Sequence, residues 1–365
     1  MTPTKLGFIL SSNSQSPVPS TRIAILNMLP YLRAANFDPH IVFEPARASE
    51  EPDVAGLANR MFGEGFEIAY FQKVRGASVV AEARALSRLG IKTIYGVCDL
   101  IDNEMAEATD ATIVVTPYLK SLYAQHLQHK LHVVHDGIEN ANVCKMTYDK
   151  HRGAIGRPLR AVLVTSKELD EIPILRNPPR FLDVTVIGPY PETRSLLNRT
   201  KKAYWRLVSK NPSLNRRFRL PSMFGGNFKA VNWDLTTVFN LMAQADIGII
   251  PVDTNHDPVP GHPDVSLWQV KSENRLTMKM SIGLPVIATP VPSYRDVVVQ
   301  GMNGFLAGSR QEWLQNLEQL RDPEQRRAIG EAARRSVMIQ YSKDAQAAKL
   351  IAALKELGSS RKDPG

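Results

Sequence analysis

Lys271, Ser272, Asn274 and Arg275 open a short helical pattern in the stretch KSENRLTMKMSIGLPVIATPVPSYRDVVVQGMNGF. Backbone N–H groups at a helix start lack intrahelical partners and the helix dipole favours negative charge, so a diphosphate fits there. A nearby Lys or Arg would neutralise the charge that grows on a departing phosphate group. The same residues also suit plain capping by Ser272 with solvated charges around it. Lys167, at a strand end further back, is a second candidate cation for the same anion.

Asp99 follows the apolar strand pattern KTIYGVC. A carboxylate there would orient a ligand hydroxyl, or act as a base if partly desolvated. It would equally cap the following helix, IDNEMAEA. Ser20 and Arg22 open the first helix after a Pro-rich loop, where both lining a cleft and capping are open to them. Lys73, after YFQ, is a similar case. His135 and Asp136 are adjacent on an expected strand, so their side chains should point to opposite faces and not form a dyad. His256 and His262 share a Pro-rich loop without enough convergent ligands for a metal. No Asp-x-Asp motif stands near a strand end, so metal dependence is not expected. Gly-x-Gly-x-x-Gly, a Walker loop and a serine elbow are all missing.

Positioning such residues requires strands and helices in alternation. Gly283 is where the helix ending at SI would want a left-handed residue, Pro285–Thr289 has the β-branched character of a buried parallel strand, and Pro290 and Pro292 stop it. Leu276, Met280 and Met278 are expected to form one apolar helix face. From Lys5 to His135, strand patterns (LGFILSS, HIVFEP, EIAYFQKV, KTIYGVCD, ATIVVT, LHVVHDG) alternate with helical ones such as STRIAILNMLPYLRAAN and ASVVAEARALSRLG. The polar stretch KMTYDKHRGAIGRP interrupts this rhythm, which restarts with AVLVTS, DVTVIGPYP, ADIGIIPV and PVIAT; the tail from Gln311 is helical. Such a βαβ rhythm implies mostly parallel sheets with ligands at the strand ends. The expected division is a first α/β domain over 1–145, a linker over 146–158, a second α/β domain over 159–340, and a C-terminal helix and tail over 341–365 that packs back toward the first domain.

Composition sets the class. A chain of 365 residues with 43% hydrophobic and 22% charged residues suits two soluble domains. No apolar run is long enough for a membrane span, the N-terminus lacks a secretory pattern, and Cys98 and Cys144 have no metal-like spacing. A reduced, cytoplasmic chain is the expectation. Of the net charge of +9, the segment Arg194–Arg219 supplies all: six Arg, three Lys and no acid. Leu196, Leu197, Tyr204, Leu207 and Val208 fall roughly on its opposite helical face. It is either a solvated face or a surface for anionic membrane or a phosphate-bearing acceptor. No nucleic-acid reading motif accompanies it, so nucleic acid is not an expected partner.

The stretch GLPVIATPVPSYRDVVVQGMNGFLAGSRQEW resembles the donor-binding core of family 4-like glycosyltransferases of the GT-B fold. ADIGIIPV, VVHDGIEN, STRIAILNMLPYLRAAN, FQKV and YGVCDLIDN are similar to further family elements in matching order. The resemblance implies an α/β chain of two Rossmann-like, doubly wound domains facing across a cleft. It also departs from the family. The positions of the usual glutamate pair fall, counted back from Gly283, on Val270 and Met278. The usual Gly-Arg appears as Ser166-Lys167, and the cleft histidine is replaced by Gly96-Val97-Cys98-Asp99.

The resemblance implies a retaining, metal-independent transferase that moves a sugar from a nucleotide-sugar donor to a glycan or lipid-linked acceptor hydroxyl, in surface polysaccharide or glycoconjugate synthesis. Its expected site is Asp99 as catalytic carboxylate, Lys167, Lys271, Ser272, Asn274 and Arg275 on the donor, and Ser20, Arg22 and Lys73 on the acceptor side. No cofactor is expected beyond the nucleotide sugar as substrate, and peripheral docking at the inner membrane face is open to the basic segment. The lost glutamates fit an alternative, a non-catalytic nucleotide-sugar-binding subunit that partners another transferase. A nucleotide-sugar epimerase of related architecture is a third reading.

Overall fold

The computed structural model describes residues 2–154, 156–165, 178–188, 228–254 and 258–359. The chain forms two compact units. Unit 1 is Met1–Glu139, His256–Asn274 and Ile339–Gly365; unit 2 is Asn140–Asn255 and Arg275–Met338. Each carries its own six-stranded sheet, parallel throughout.

In unit 1 the strands are β1 (Thr4–Leu10), β2 (Phe37–Phe43), β3 (Ile68–Gln72), β4 (Lys92–Val97), β5 (Ala111–Val114) and β6 (Leu131–Val133), in the order β2-β1-β3-β4-β5-β6. Every residue of β3 and β5 is buried. Parallel pairing demands crossovers, and crossovers cover both faces, so central strands become continuously apolar. One face packs Ile9, Phe71 and Tyr95 against the helix Ala77–Arg88. The other packs Phe8, Tyr70 and Ile94 against Leu350 and Leu354 of the C-terminal helix Lys343–Ser359.

Three expectations change here. The first helix is broken into a turn at Pro19–Thr21, a π-helical stretch Arg22–Leu26 and a helix Leu29–Ala34. Pro30 has no N–H and its ring crowds the carbonyl four residues back, so an unbroken helix cannot pass through it. The segment before the helix Asn274–Ile282, assigned from sequence to the second domain, belongs to unit 1. It forms an antiparallel pair, β11 (Pro258–Val259) and β12 (His262–Ser266), and buries Val259 and Val270 in the unit 1 core. The stretch around 146–158, expected as a linker, is packed into unit 2: the Tyr148 hydroxyl donates to Gly283 O at 2.5 Å, and Arg326 donates to Asp149 O at 2.6 Å.

Unit 2 pairs β9 (Phe228–Asn232), β8 (Leu182–Gly188), β7 (Leu159–Val164), β10 (Ile247–Ile250), β13 (Val286–Ala288) and β14 (Phe305–Leu306) in that spatial order. This is the doubly wound order in which the direction of strand addition reverses once, between β7 and β10. Gly283 takes φ +91°, the left-handed conformation expected of a helix terminator. The helix Asn274–Ile282 is not amphipathic: every residue from Leu276 to Ile282 is buried. It is an interior helix, and the expected single apolar face is too narrow a description.

Candidate active site

In unit 1 strand addition reverses between β1 and β3, and the first polar groups beyond the strand ends converge there. Gln72, the last residue of β3, is 3% exposed. Its side-chain oxygen accepts from Ser11 N at 3.3 Å, Ser11 Oγ at 2.9 Å and Thr21 Oγ1 at 2.9 Å. Ser12 Oγ donates to Thr21 Oγ1 at 2.8 Å and accepts from Val18 N at 3.1 Å. One buried amide thus fixes the loop after β1 and the turn that carries Ser20. Ser20, Tyr70, Gln72, Cys98, His135, Asp136 and Gln346 bring polar groups to the lining of a cavity of about 30 Å³.

The deepest charges lie beyond β6. His135 N donates to Gln346 Oε1 at 2.9 Å, and its ring stands edge-on to Tyr341 with centroids 4.9 Å apart. Nδ1 lies 2.7 Å from Glu273 Oε1, with His135 8% and Glu273 1% exposed at their side chains. A carboxylate only accepts, so Nδ1 carries the proton and, in the neutral ring, Nε2 keeps its lone pair. Glu273 Oε2 is buried without a hydrogen-bond partner. Ser272 Oγ donates to Asp136 Oδ2 at 2.8 Å. Burial pushes the Asp136 carboxyl up to about 7, the Glu273 charge adds to the rise, and the Ser272 bond opposes it.

The expectation that His135 and Asp136 point apart fails because β6 ends at Val133. Beyond it the two-residue alternation no longer holds, and both line the same cavity. They do not pair with each other; each has its own partner in Glu273 or Ser272.

Asp99 and Lys73 are brought together, Nζ to Oδ1 at 2.9 Å, with Glu50 at 2.9 Å from the same Nζ. Lys73 takes φ +57°, left-handed for a non-glycine residue. Asp99 is 47% exposed at its side chain and is not the helix cap. Asp102 is, accepting from Met105 N at 2.9 Å. Burial and then the Asp99 charge push the Cys98 thiol up, away from a reactive thiolate. Arg22 is held by Glu139, Nε to Oε1 at 2.7 Å and Nη2 to Oε2 at 3.0 Å. Among the donor-side candidates, Lys271, Ser272 and Asn274 fall in unit 1 and Arg275 in unit 2. Ser272 spends its hydroxyl on Asp136 and not on the helix start. Lys167, His256 and the basic segment Arg194–Arg219 lie outside the described residues.

Sequence reasoning passed over Glu273, Gln72, Tyr70 and Gln346. Glu273 stands inside the quoted KSENR, and Gln72 is the one polar residue closing an apolar strand. Gln346 had no local signal, because its partner is 211 residues away.

No family model and no curated protein matches this chain. Solved structures do. HepE of Anabaena in complex with UDP matches with a TM-score of 0.67 at 14% identity, covering 97% of this chain and 100% of that one. A glycosyltransferase of Rickettsia africae ESF-5 matches at 0.65 and 12% identity, covering 100% of both chains. Sucrose-phosphate synthase of Thermosynechococcus elongatus matches at 0.65 and 14% identity, over 98% of this chain and 100% of its own. The fold is GT-B. Within this GT-B chain, Val270 and Met278, where the sequence resemblance puts the glutamate pair, are 1% and 6% exposed and pack in apolar cores.

Proposed function

We propose that this chain transfers a sugar from a nucleotide-activated donor to an acceptor hydroxyl, with retention and without a metal, in making a surface polysaccharide or glycoconjugate. The observation that carries this reading is the GT-B fold matched along 97% of the chain with HepE, a protein solved with UDP, with UDP-glucose and with UDP and glucose together. Lys271 and Arg275, at the start of a nine-residue helix, are the proposed cations for a diphosphate, and the helix dipole favours an anion there. Lys167 is a further cation for it. Asp99 is the acceptor-side carboxylate: half-exposed and paired with Lys73, it accepts from a hydroxyl. Ser20 forms part of the cavity wall, whereas Arg22 serves Glu139.

The resemblance carries a second reading. At the positions where it puts the glutamate pair, Val270 and Met278 offer no side-chain acceptor, which suits a subunit that binds nucleotide sugar without turning it over. Titration calorimetry with UDP and a panel of nucleotide sugars, followed by a donor-hydrolysis assay, separates the two. Transfer or slow hydrolysis supports the enzyme; tight binding without either supports the subunit. Lys271→Ala and Arg275→Ala should each weaken UDP binding by about 1.5–3 kcal/mol with unchanged melting temperature, the value of a charge-assisted contact. Unchanged affinity in both variants would show the diphosphate lies elsewhere.

A further inference from the structure

We propose that the unit 1 cavity receives the hydroxymethyl group of an uncharged sugar, bound by His135 Nε2 and the Tyr70 hydroxyl, with Glu273 fixing the imidazole tautomer. The identity of the sugar-bearing molecule rests on the glycosyl-transfer reading; the cavity's chemistry does not.

Size limits the occupant. A cavity of about 30 Å³ holds one or two water-sized groups, so it admits a substituent and not a sugar ring. Charge limits it further. No Lys or Arg is among the lining residues, while Asp136 is, and Glu273 stands behind His135. Arg22 is committed to Glu139, and Lys73 to Glu50 and Asp99. A phosphate or carboxylate would meet buried acid without a counter-charge.

Polarity then picks the group. His135 Nε2 has no partner among the described residues, and Glu273 leaves it as an acceptor. The Tyr70 hydroxyl also has no hydrogen-bond partner among them, although Tyr70 is only 2% exposed. Its place is secured by Gly96, since a Cβ there would collide with that hydroxyl. A ligand hydroxyl donates to Nε2 of the neutral ring and accepts from tyrosine, engaging both groups at once. Glu273 and Tyr341 hold the ring and Gln346 holds the His135 backbone N–H, so the acceptor is preorganised.

The test compares sugars with and without the hydroxymethyl group in two arms: UDP-glucose against UDP-xylose, and methyl glucoside against methyl xyloside. The full chain should prefer the glucose member of one arm by about tenfold, the worth of a satisfied buried hydrogen-bond pair. The arm showing the preference says whether donor or acceptor sugar occupies the cavity, and UDP-glucuronate should bind no better than UDP. Tyr70→Phe and His135→Ala should erase the preference while leaving UDP affinity unchanged. In nitrogen NMR of labelled histidine, Glu273→Met, which removes the acceptor, should lose the Nδ1–H tautomer of His135. Equal binding within both arms overturns the proposal whatever the variants do. Absence of UDP binding and of donor turnover, with the glucoside preference intact, overturns the transfer reading alone.

Discussion

At neutral pH the Asp136 carboxyl is balanced between protonation states, because burial and then the Glu273 charge push it up to about 7. An unfolded aspartate releases its proton near 4. Between about pH 4 and pH 7 the folded chain therefore holds a proton that the unfolded chain has lost, and stability falls as pH rises through that window. Asp136→Asn removes this slope. Thermal unfolding at several pH values should show wild type losing up to about 4 kcal/mol relative to the variant between pH 4 and 7, then no more. Parallel curves would mean Asp136 ionises normally. At this scale the sequence was partly legible. Ser20 and Asp99 stand near the strand ends where βαβ logic puts them. Glu273 was not legible, because a glutamate beside Ser and Asn before a helix looks like any solvated cap until the fold buries it.

The helix Asn274–Ile282 carries an amine whose charged form its surroundings disfavour. Lys279 is fully buried, its Nζ donates to Arg275 O at 3.1 Å, and its stem lies 2.7 Å from where a Cβ on Gly248 would stand. Burial, then the Arg275 charge, push its amine down to about 7. A lysine depressed in the folded state binds fewer protons than in the unfolded one, so stability rises as pH goes from about 7 to about 10.5. Lys279→Met keeps the stem and deletes the amine. Its melting temperature should exceed that of wild type at pH 7, with a gain of a few kcal/mol that shrinks toward pH 10. A variant less stable than wild type at pH 7 would show the amine has a binding role there. Helix and strand existence was legible at this scale: ten expected strands are present, and Gly283 adopts the expected positive φ. The short strands β9 and β14 and the hairpin of β11 and β12 were not. With two to five residues each they are defined by their neighbours and carry no pattern of their own.

At the scale of the whole molecule the division into two doubly wound units was legible from the interrupted βαβ rhythm, but the path of the chain was not. Residues 256–274 and the C-terminal helix return to unit 1, and only buried valines and the contacts of Leu350 and Leu354 reveal that. Charge follows neither unit evenly: the net +9 equals that of Arg194–Arg219 alone. No helix among the described residues is long and apolar enough to cross a membrane. Bases near an anionic surface contribute about 1 kcal/mol each, screened over roughly 8 Å at physiological ionic strength. The purified protein should therefore co-sediment with phosphatidylserine-containing vesicles at low salt and release as salt rises. Lys201→Glu, Lys202→Glu and Arg206→Glu together should abolish docking while UDP affinity is retained, because the proposed diphosphate segment, Lys271–Arg275, is a separate element. Equal sedimentation with neutral and anionic vesicles would show that the segment is a solvated face.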